Sequence, residues 1–179
     1  DFIDIIYDGD KYPIIDDSAK MPGAKWFKNI KLNFAENLLQ DQSCKNAIES
    51  FCEDGLSKTI SYAQLNQEVK AVAIFLKKNG VDSGDRIAGI MPNIYETVVI
   101  MLATTSIGAI WTSCSPDFGE KTILDRLLQI KPKVLITVDG YTFKGKYFSL
   151  SSKISQICSQ LISIKSLIYI NYIKDFKID

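Results

Sequence analysis

The sequence predicts an α/β protein with a layered, mostly parallel sheet and helices on both of its faces. Short apolar runs bounded by turn residues alternate with amphipathic stretches at least four times along the 179 residues, the order that builds a parallel sheet covered on both sides. A run without a single charge, 97–116, ends in the turn Ser115-Pro116-Asp117-Phe118-Gly119, and a new helix opens at Glu120 and Lys121. Apolar chain delivered to such a turn at a helix start belongs at the carboxyl edge of an α/β sheet. Backbone N–H groups and the positive helix end attract anions there.

The elements follow in order. Residues 1–30 carry aromatic and acidic side chains without clear period, and Pro22-Gly23 gives turn chemistry, so they read as an irregular lead-in. Asn33-Phe34-Ala35-Glu36 has the form of a capping box and predicts a short helix with Phe34, Leu38 and Leu39 on one side. A strand over 47–52, a turn at Glu53-Asp54-Gly55 and a return strand at Lys58-Thr59-Ile60 make a hairpin. Ser61-Tyr62-Ala63-Gln64 is a second capping box and opens the clearest helix, whose apolar Tyr62, Leu65, Val69, Val72 and Leu76 form one stripe. Lys77, Lys78 and Gly80 suit its carboxyl end. Asp82-Ser83-Gly84-Asp85 is a turn, 86–91 a short strand, and Asn93 the expected cap of a buried helix over 94–107. Gly108 stops that helix before a strand over 109–113. Beyond the turn, Ile123, Leu124, Leu127 and Leu128 form the inner face of a helix reaching Ile130, with Lys121 and Asp125 pairable at i,i+4. Lys131-Pro132 breaks it, and 134–138 is a buried strand. Residues 141–150 read as a surface hairpin or loop, Ile154, Ile157, Leu161 and Ile164 as a helix, and 167–170 as a strand.

Composition narrows the chemistry. Lysine plus arginine equals aspartate plus glutamate at 21 each, so no global field draws the protein to nucleic acid or an anionic membrane. An apolar content of 46% with 23% charged residues is ordinary globular usage. The chain has no histidine, which removes the commonest general base and zinc ligand. Cys44, Cys52, Cys114 and Cys158 are too dispersed for a metal or redox motif and fit free thiols in a reducing cytosol. The first ten residues hold four aspartates and no basic residue, unlike a secretory signal. The charge-free run approaches the ~20 residues that span a bilayer, but interspersed Thr, Ser and Gly favour a buried helix followed by a buried strand.

Four stretches together resemble a known family: WF…KLNFAENLL at 26–39, ISYAQLNQEV at 60–69, GDRIAGIMPNIYETVVIMLATTSIGAIWTSCSPDFG at 84–119 and ILDRLLQIKPKVLITVDGY at 123–141. They are similar to the acetoacetyl-CoA synthetases of the adenylate-forming superfamily, over about residues 20–150. The SYAQL and GDRIAGIMPN elements are shared across the superfamily; the CSPDFG turn with QIKPKVLITVDGY is the specific part. The resemblance implies a cytoplasmic, two-step ligase that uses ATP, Mg2+ and coenzyme A. Acetoacetate becomes acetoacetyl-adenylate, and the CoA thiol then displaces AMP. It further implies residues 1–40 as the family's lead-in and 41–179 as the first α/β part of the AMP-binding domain. No Ser/Thr/Gly-rich loop ending in Gly-Lys is present, so the phosphate loop is expected outside this segment, and the chain is expected to be an N-terminal fragment, inactive by itself. Its partner would be the remainder of its own chain, with no nucleic acid and no membrane.

By position in the resembling family, Ser115, Pro116 and Asp117 and a basic residue among Lys144 and Lys146 would face coenzyme A, with no catalytic or metal-binding residue in the segment. A CoA 3′-phosphate wants a cation, and the turn offers backbone donors; lysines stand where the relatives use arginine, which weakens bidentate phosphate recognition. The plainer alternative makes Asp117 a helix cap and the lysines solvated. Cys114 reads as a buried small residue, and Trp26 and Trp111 as core or interface aromatics. Two other functional readings stay open: an acetyl- or propionyl-CoA synthetase, and a non-catalytic CoA- or nucleotide-binding module.

Overall fold

Short strands order more of the lead-in than its sequence promises. The computed structural model describes residues 4–52 and 57–173; the expected turn at 53–55 lies outside them. Strands β1 (Asp8–Gly9), β2 (Ile15–Asp16), β3 (Lys25–Trp26) and β4 (Ile30–Lys31) form two antiparallel pairs, β1 with β4 and β2 with β3. Trp26 is exposed, so it is not a core aromatic. Helix α1 (Phe34–Leu38) is capped by Asn33, whose side-chain oxygen accepts from Glu36 N at 3.1 Å. Its amide also donates to Thr105 O and Ser106 O at 3.2 and 3.0 Å, tying this segment to the interior. The helix buries Ala35, while Phe34 and Leu38 face outward.

Strands β5 (Asn46–Phe51) and β6 (Ser57–Ser61) form the expected antiparallel hairpin. Helix α2 (Tyr62–Lys78) begins with a complete capping box between Ser61 and Gln64 and buries Leu65, Val69 and Leu76. Strand β7 (Arg86–Ile90) is followed by α3 (Tyr95–Ser106), but Asn93 does not cap that helix. The cap position is Ile94, which has no side-chain acceptor, and the Thr97 hydroxyl bonds back to Pro92 O at 2.9 Å. The pre-helical residues are held by the backbone turn Ile94 N to Pro92 O at 2.9 Å, which carries the chain past the point where an Asn cap would act. Gly108 takes φ 76°, a conformation that suits glycine, and ends the helix region.

Strand β8 (Ile110–Cys114), helix α4 (Glu120–Ile130) and strand β9 (Val134–Val138) follow. Asp117 is not the cap of α4: the cap position is Gly119, without a side-chain hydrogen bond. Among the described residues Lys121 and Asp125 form no ion pair. A hairpin of β10 (Gly140–Phe143) and β11 (Lys146–Ser149) precedes α5 (Ser151–Gln160) and β12 (Ser166–Ile170). The last helix stops before Leu161, which is buried beyond it, and Ile164 lies outside it.

The central sheet is parallel, in the order β12-β9-β7-β8. Every residue of β9 is buried, as a strand covered on both faces requires. On one face α2 and α3 set Leu76, Val99 and Ile100 against Ile136, Ile168 and Ile170. Because strand side chains alternate, Tyr169 points to the other face, where it neighbours Cys158 of α5. Ile123 and Leu127 of α4 and Ile154 and Ile157 of α5 are buried in the same core. Full burial of each such side chain is worth roughly 1.5–3 kcal/mol.

At the amino edge, the Asp85 carboxylate accepts from Asp82 N at 2.8 Å and pairs with Lys133 Nζ. The Asp82 backbone hydrogen bond and the lysine hold its carboxyl below the ordinary value of 3.8. Among the described residues no helix is long and apolar enough to cross a membrane. All four cysteines are free.

Candidate functional site

An open parallel sheet places its binding crevice where the connections from two neighbouring strands leave toward opposite sides, the point at which strand order reverses. The chain here goes from β7 outward to β8, then crosses back over β7 to β9. The reversal therefore falls between the carboxyl ends of β7 and β9. Met91-Pro92-Asn93 leaves the first and Asp139-Gly140-Tyr141 the second.

A cleft of about 330 Å³ opens at this point. Pro92 and Asn93 form one wall, Ser115, Pro116 and Asp117 the next, and Tyr141, Phe143 and Tyr172 the far side. A second hollow of about 270 Å³ shares Phe51, Asn93 and Ile94 with it and continues toward Glu49 and Tyr95. The two form one groove across the carboxyl edge, within the size range of small-molecule sites. Tyr141 stacks on Phe148 with ring centroids 5.3 Å apart. Burial, and then the neighbouring Asp117 charge, push its hydroxyl pKa up, so it is a neutral donor at pH 7.

The far side is fixed by Asp139. Its Oδ1 accepts from Gly140 N, Tyr172 N and Ile173 N at 3.1, 2.9 and 3.1 Å, so the carboxylate is consumed in joining the ends of β9 and β12. Tyr172 in turn sets its hydroxyl 3.3 Å from Cys52 Sγ. At the groove's other end Lys58 Nζ hydrogen-bonds the Tyr95 hydroxyl and lies 3.8 Å from that ring's centroid. Burial lowers the Lys58 pKa, but the Tyr95 contact and nearby Glu96 and Glu68 outweigh it, and the ammonium is held charged.

The structure brings Ser115, Pro116 and Asp117 together on the cleft wall, with Pro116 buried and the other two exposed. Lys144 and Lys146 do not line the cleft. They flank the tip of the β10–β11 hairpin, where Lys144 and Gly145 both take positive φ, the conformation of a two-residue type I′ turn. Lys144 Nζ lies 5.4 Å from the Phe143 ring centroid, beside the cleft but not in it. Cys114 is buried, and burial pushes its thiol pKa up against a weaker opposing pull from Arg126, which leaves it unreactive. Trp111 is half-buried against Gly89.

One cation at the turn escaped the sequence reasoning. Lys153 Nζ, from α5, donates to Pro116 O and Phe118 O. Its position four residues before buried Ile157 was the available signal, since i,i+4 spacing places it at the margin of the helix's inner face.

Sheet, covering helices and edge crevice define a layered α/β domain, and residues 39–172 match the family of AMP-binding enzymes. The chain belongs to that family, and its fold is that of the N-terminal domain of an adenylate-forming enzyme. Within the family it is similar to the acetoacetyl-coenzyme A synthetase of Rhizobium meliloti (strain 1021), with 43% identity over 81% of this chain and 22% of that protein. The acetoacetyl-CoA synthetase of Xenopus tropicalis is 38% identical over 97% of this chain and 26% of its own length. The solved acetoacetyl-CoA synthetase from Streptomyces lividans superposes with a TM-score of 0.87 at 34% identity, covering 95% of this chain and 26% of that one. The chain thus spans about a quarter of the length of the relatives it matches.

Proposed function

We propose that this chain belongs to an ATP-dependent acetoacetate–CoA ligase of the cytoplasm and builds the coenzyme A side of its active site. Residues 1–40 would be the lead-in and 41–179 the first α/β part of the AMP-binding domain. The observation that carries the reading is its similarity, at 43% identity over 81% of the chain, to an acetoacetyl-coenzyme A synthetase.

The residues present suit coenzyme A better than they suit the other reactants. The cleft combines the 115–117 turn, aromatic walls at Tyr141 and Phe143, and the half-buried Lys153 cation behind the turn. The first N–H groups of α4 have no side-chain cap and leave backbone donors for an anion. In this assignment Ser115 and Asp117 border the ligand, Pro116 stiffens the wall, and Lys144 and Lys146 meet phosphate from the hairpin tip. When bound, coenzyme A supplies the thiol that displaces AMP from the acyl group. Among the described residues no group of three His, Cys, Asp or Glu side chains could hold a metal. We place ATP phosphates and magnesium, like the acyl pocket, in the part of the relatives' length that this chain does not span.

Calorimetry on the chain with coenzyme A and with AMP tests the assignment. The expected result is binding of coenzyme A alone, weakened by joint Lys144→Ala and Lys146→Ala changes. Binding that ignores the double change removes the lysines from the site. AMP release from ATP, acetoacetate and coenzyme A should be absent with these 179 residues alone and present with the longer protein that contains them. Robust turnover by the 179 residues would overturn the division of labour. Preference of the longer protein for acetate or propionate would move the function to the neighbouring synthetases.

A further inference from the structure

We propose that Lys153 is a positioning residue that holds the 115–118 turn in the shape of a cleft wall. The turn is poorly fastened by its own bonds. Its closing hydrogen bond, Phe118 N to Ser115 O, is long at 3.3 Å. Its descent into α4 lacks a side-chain cap as well. Lys153 supplies the missing ties from across the fold: Nζ donates to Pro116 O at 2.7 Å and to Phe118 O at 3.0 Å. Drawing two alternate carbonyls onto one ammonium turns the intervening Asp117 outward, toward the cleft that it lines. Arg126, lying 5.2 Å from the Phe118 ring centroid, steadies the ring that follows.

The ammonium has a second property. It is half-buried, and among the described residues no carboxylate pairs with it. Neutral carbonyls accept two of its three hydrogens but do not neutralise its charge, which offsets the Asp117 carboxylate that the turn presents to the cleft and keeps the wall compatible with an anionic ligand. The identity of that ligand as coenzyme A rests on the function proposed above; the fastening of the turn does not.

The test compares Lys153→Met, which keeps the aliphatic stem, with Lys153→Arg, which keeps a cationic donor. Amide hydrogen exchange is followed at 117–119 and, as a reference, in β9, and coenzyme A affinity is measured by calorimetry. In Lys153→Met, exchange at 117–119 is expected to rise about tenfold or more while β9 is unchanged, and coenzyme A to bind about tenfold more weakly, the size of losing a charged donor. Lys153→Arg is expected to restore both to within about threefold, since its fork can still reach carbonyl acceptors. Unchanged exchange at 117–119 in Lys153→Met overturns the proposal. If Lys153→Met unfolds the chain, Lys153→Arg is set against Lys153→Gln: slow exchange in the first and fast in the second supports the proposal, and equal exchange sinks it. A parent chain that binds no coenzyme A removes the ligand assignment, and the exchange data alone then decide the role of Lys153.

Discussion

Replacing Asp139 by alanine should loosen the sheet at its carboxyl edge. The Asp139 carboxylate accepts from Tyr172 N at 2.9 Å and from Ile173 N at 3.1 Å, besides its own neighbour Gly140 N at 3.1 Å. The first two bonds bridge β9 and the exit of β12, and the change leaves both N–H groups without an acceptor. A hydrogen bond to a charged group contributes about 1.5–3 kcal/mol. Asp139 is only half-buried, so water repairs part of the loss, and we expect Asp139→Ala to cost about 2–4 kcal/mol. Asp139→Asn keeps an oxygen in place and should cost about 1 kcal/mol. Urea unfolding followed by tryptophan fluorescence measures both, with an unchanged m-value showing that only stability has moved. Released Tyr172 should also uncover Cys52, whose Sγ it touches, and speed its labelling by a thiol reagent. An Asp139→Ala midpoint equal to that of the parent, or equal costs for alanine and asparagine, would refute the bridge.

Three further substitutions have defined outcomes. Ser61→Ala removes half of the capping box of α2 and should cost about 1 kcal/mol in the same unfolding assay. The Asp85 carboxyl is held below its ordinary 3.8, so its contribution is present above that value and lost as pH falls through the folded pKa. Asp85→Asn should therefore be less stable than the parent near pH 7, with the gap closing below about pH 4 in a series of unfolding midpoints. A gap that stays constant down to pH 2 would contradict the linkage. Gly140→Ala would set a Cβ only 2.6 Å from the Phe148 backbone oxygen, forcing β11 away from β10 at a cost of about 1–3 kcal/mol. A midpoint within 0.5 kcal/mol or so of the parent would contradict that clash.

The periodic parts of this protein were legible and the anchoring parts were not. Local chemistry spells out α2: its capping box, apolar stripe and closing lysines all lie within one segment. The buried strand β9 shows itself as a pure apolar run for the same reason. Asn93 misled because capping boxes are short patterns, and the backbone bond from Ile94 N to Pro92 O moves the cap by one residue. Lys144 and Lys146 stand out in the sequence as basic residues beyond the strand that follows the turn, and only the type I′ hairpin shows that any approach to the site is from its outer tip rather than from the cleft lining. Lys153 went unselected because its partners, Pro116 O and Phe118 O, are backbone atoms 37 and 35 residues away, and no side-chain pattern records them. The turn's place on a cleft wall was inferable from its residues; the reversal of strand order that creates the cleft is a property of pairing alone.

The strand order also bears on how the chain is made. Strand β8 pairs with β7, β9 then pairs with the free side of β7, and β12 finally adds to β9. Each strand leaving the ribosome thus finds its partner already synthesised, and no earlier strand must wait exposed for a later one to be inserted between. Growth runs outward from a β7–β8 seed in a single direction. Such an order lets a nascent chain harden progressively as it emerges, N-terminal elements first.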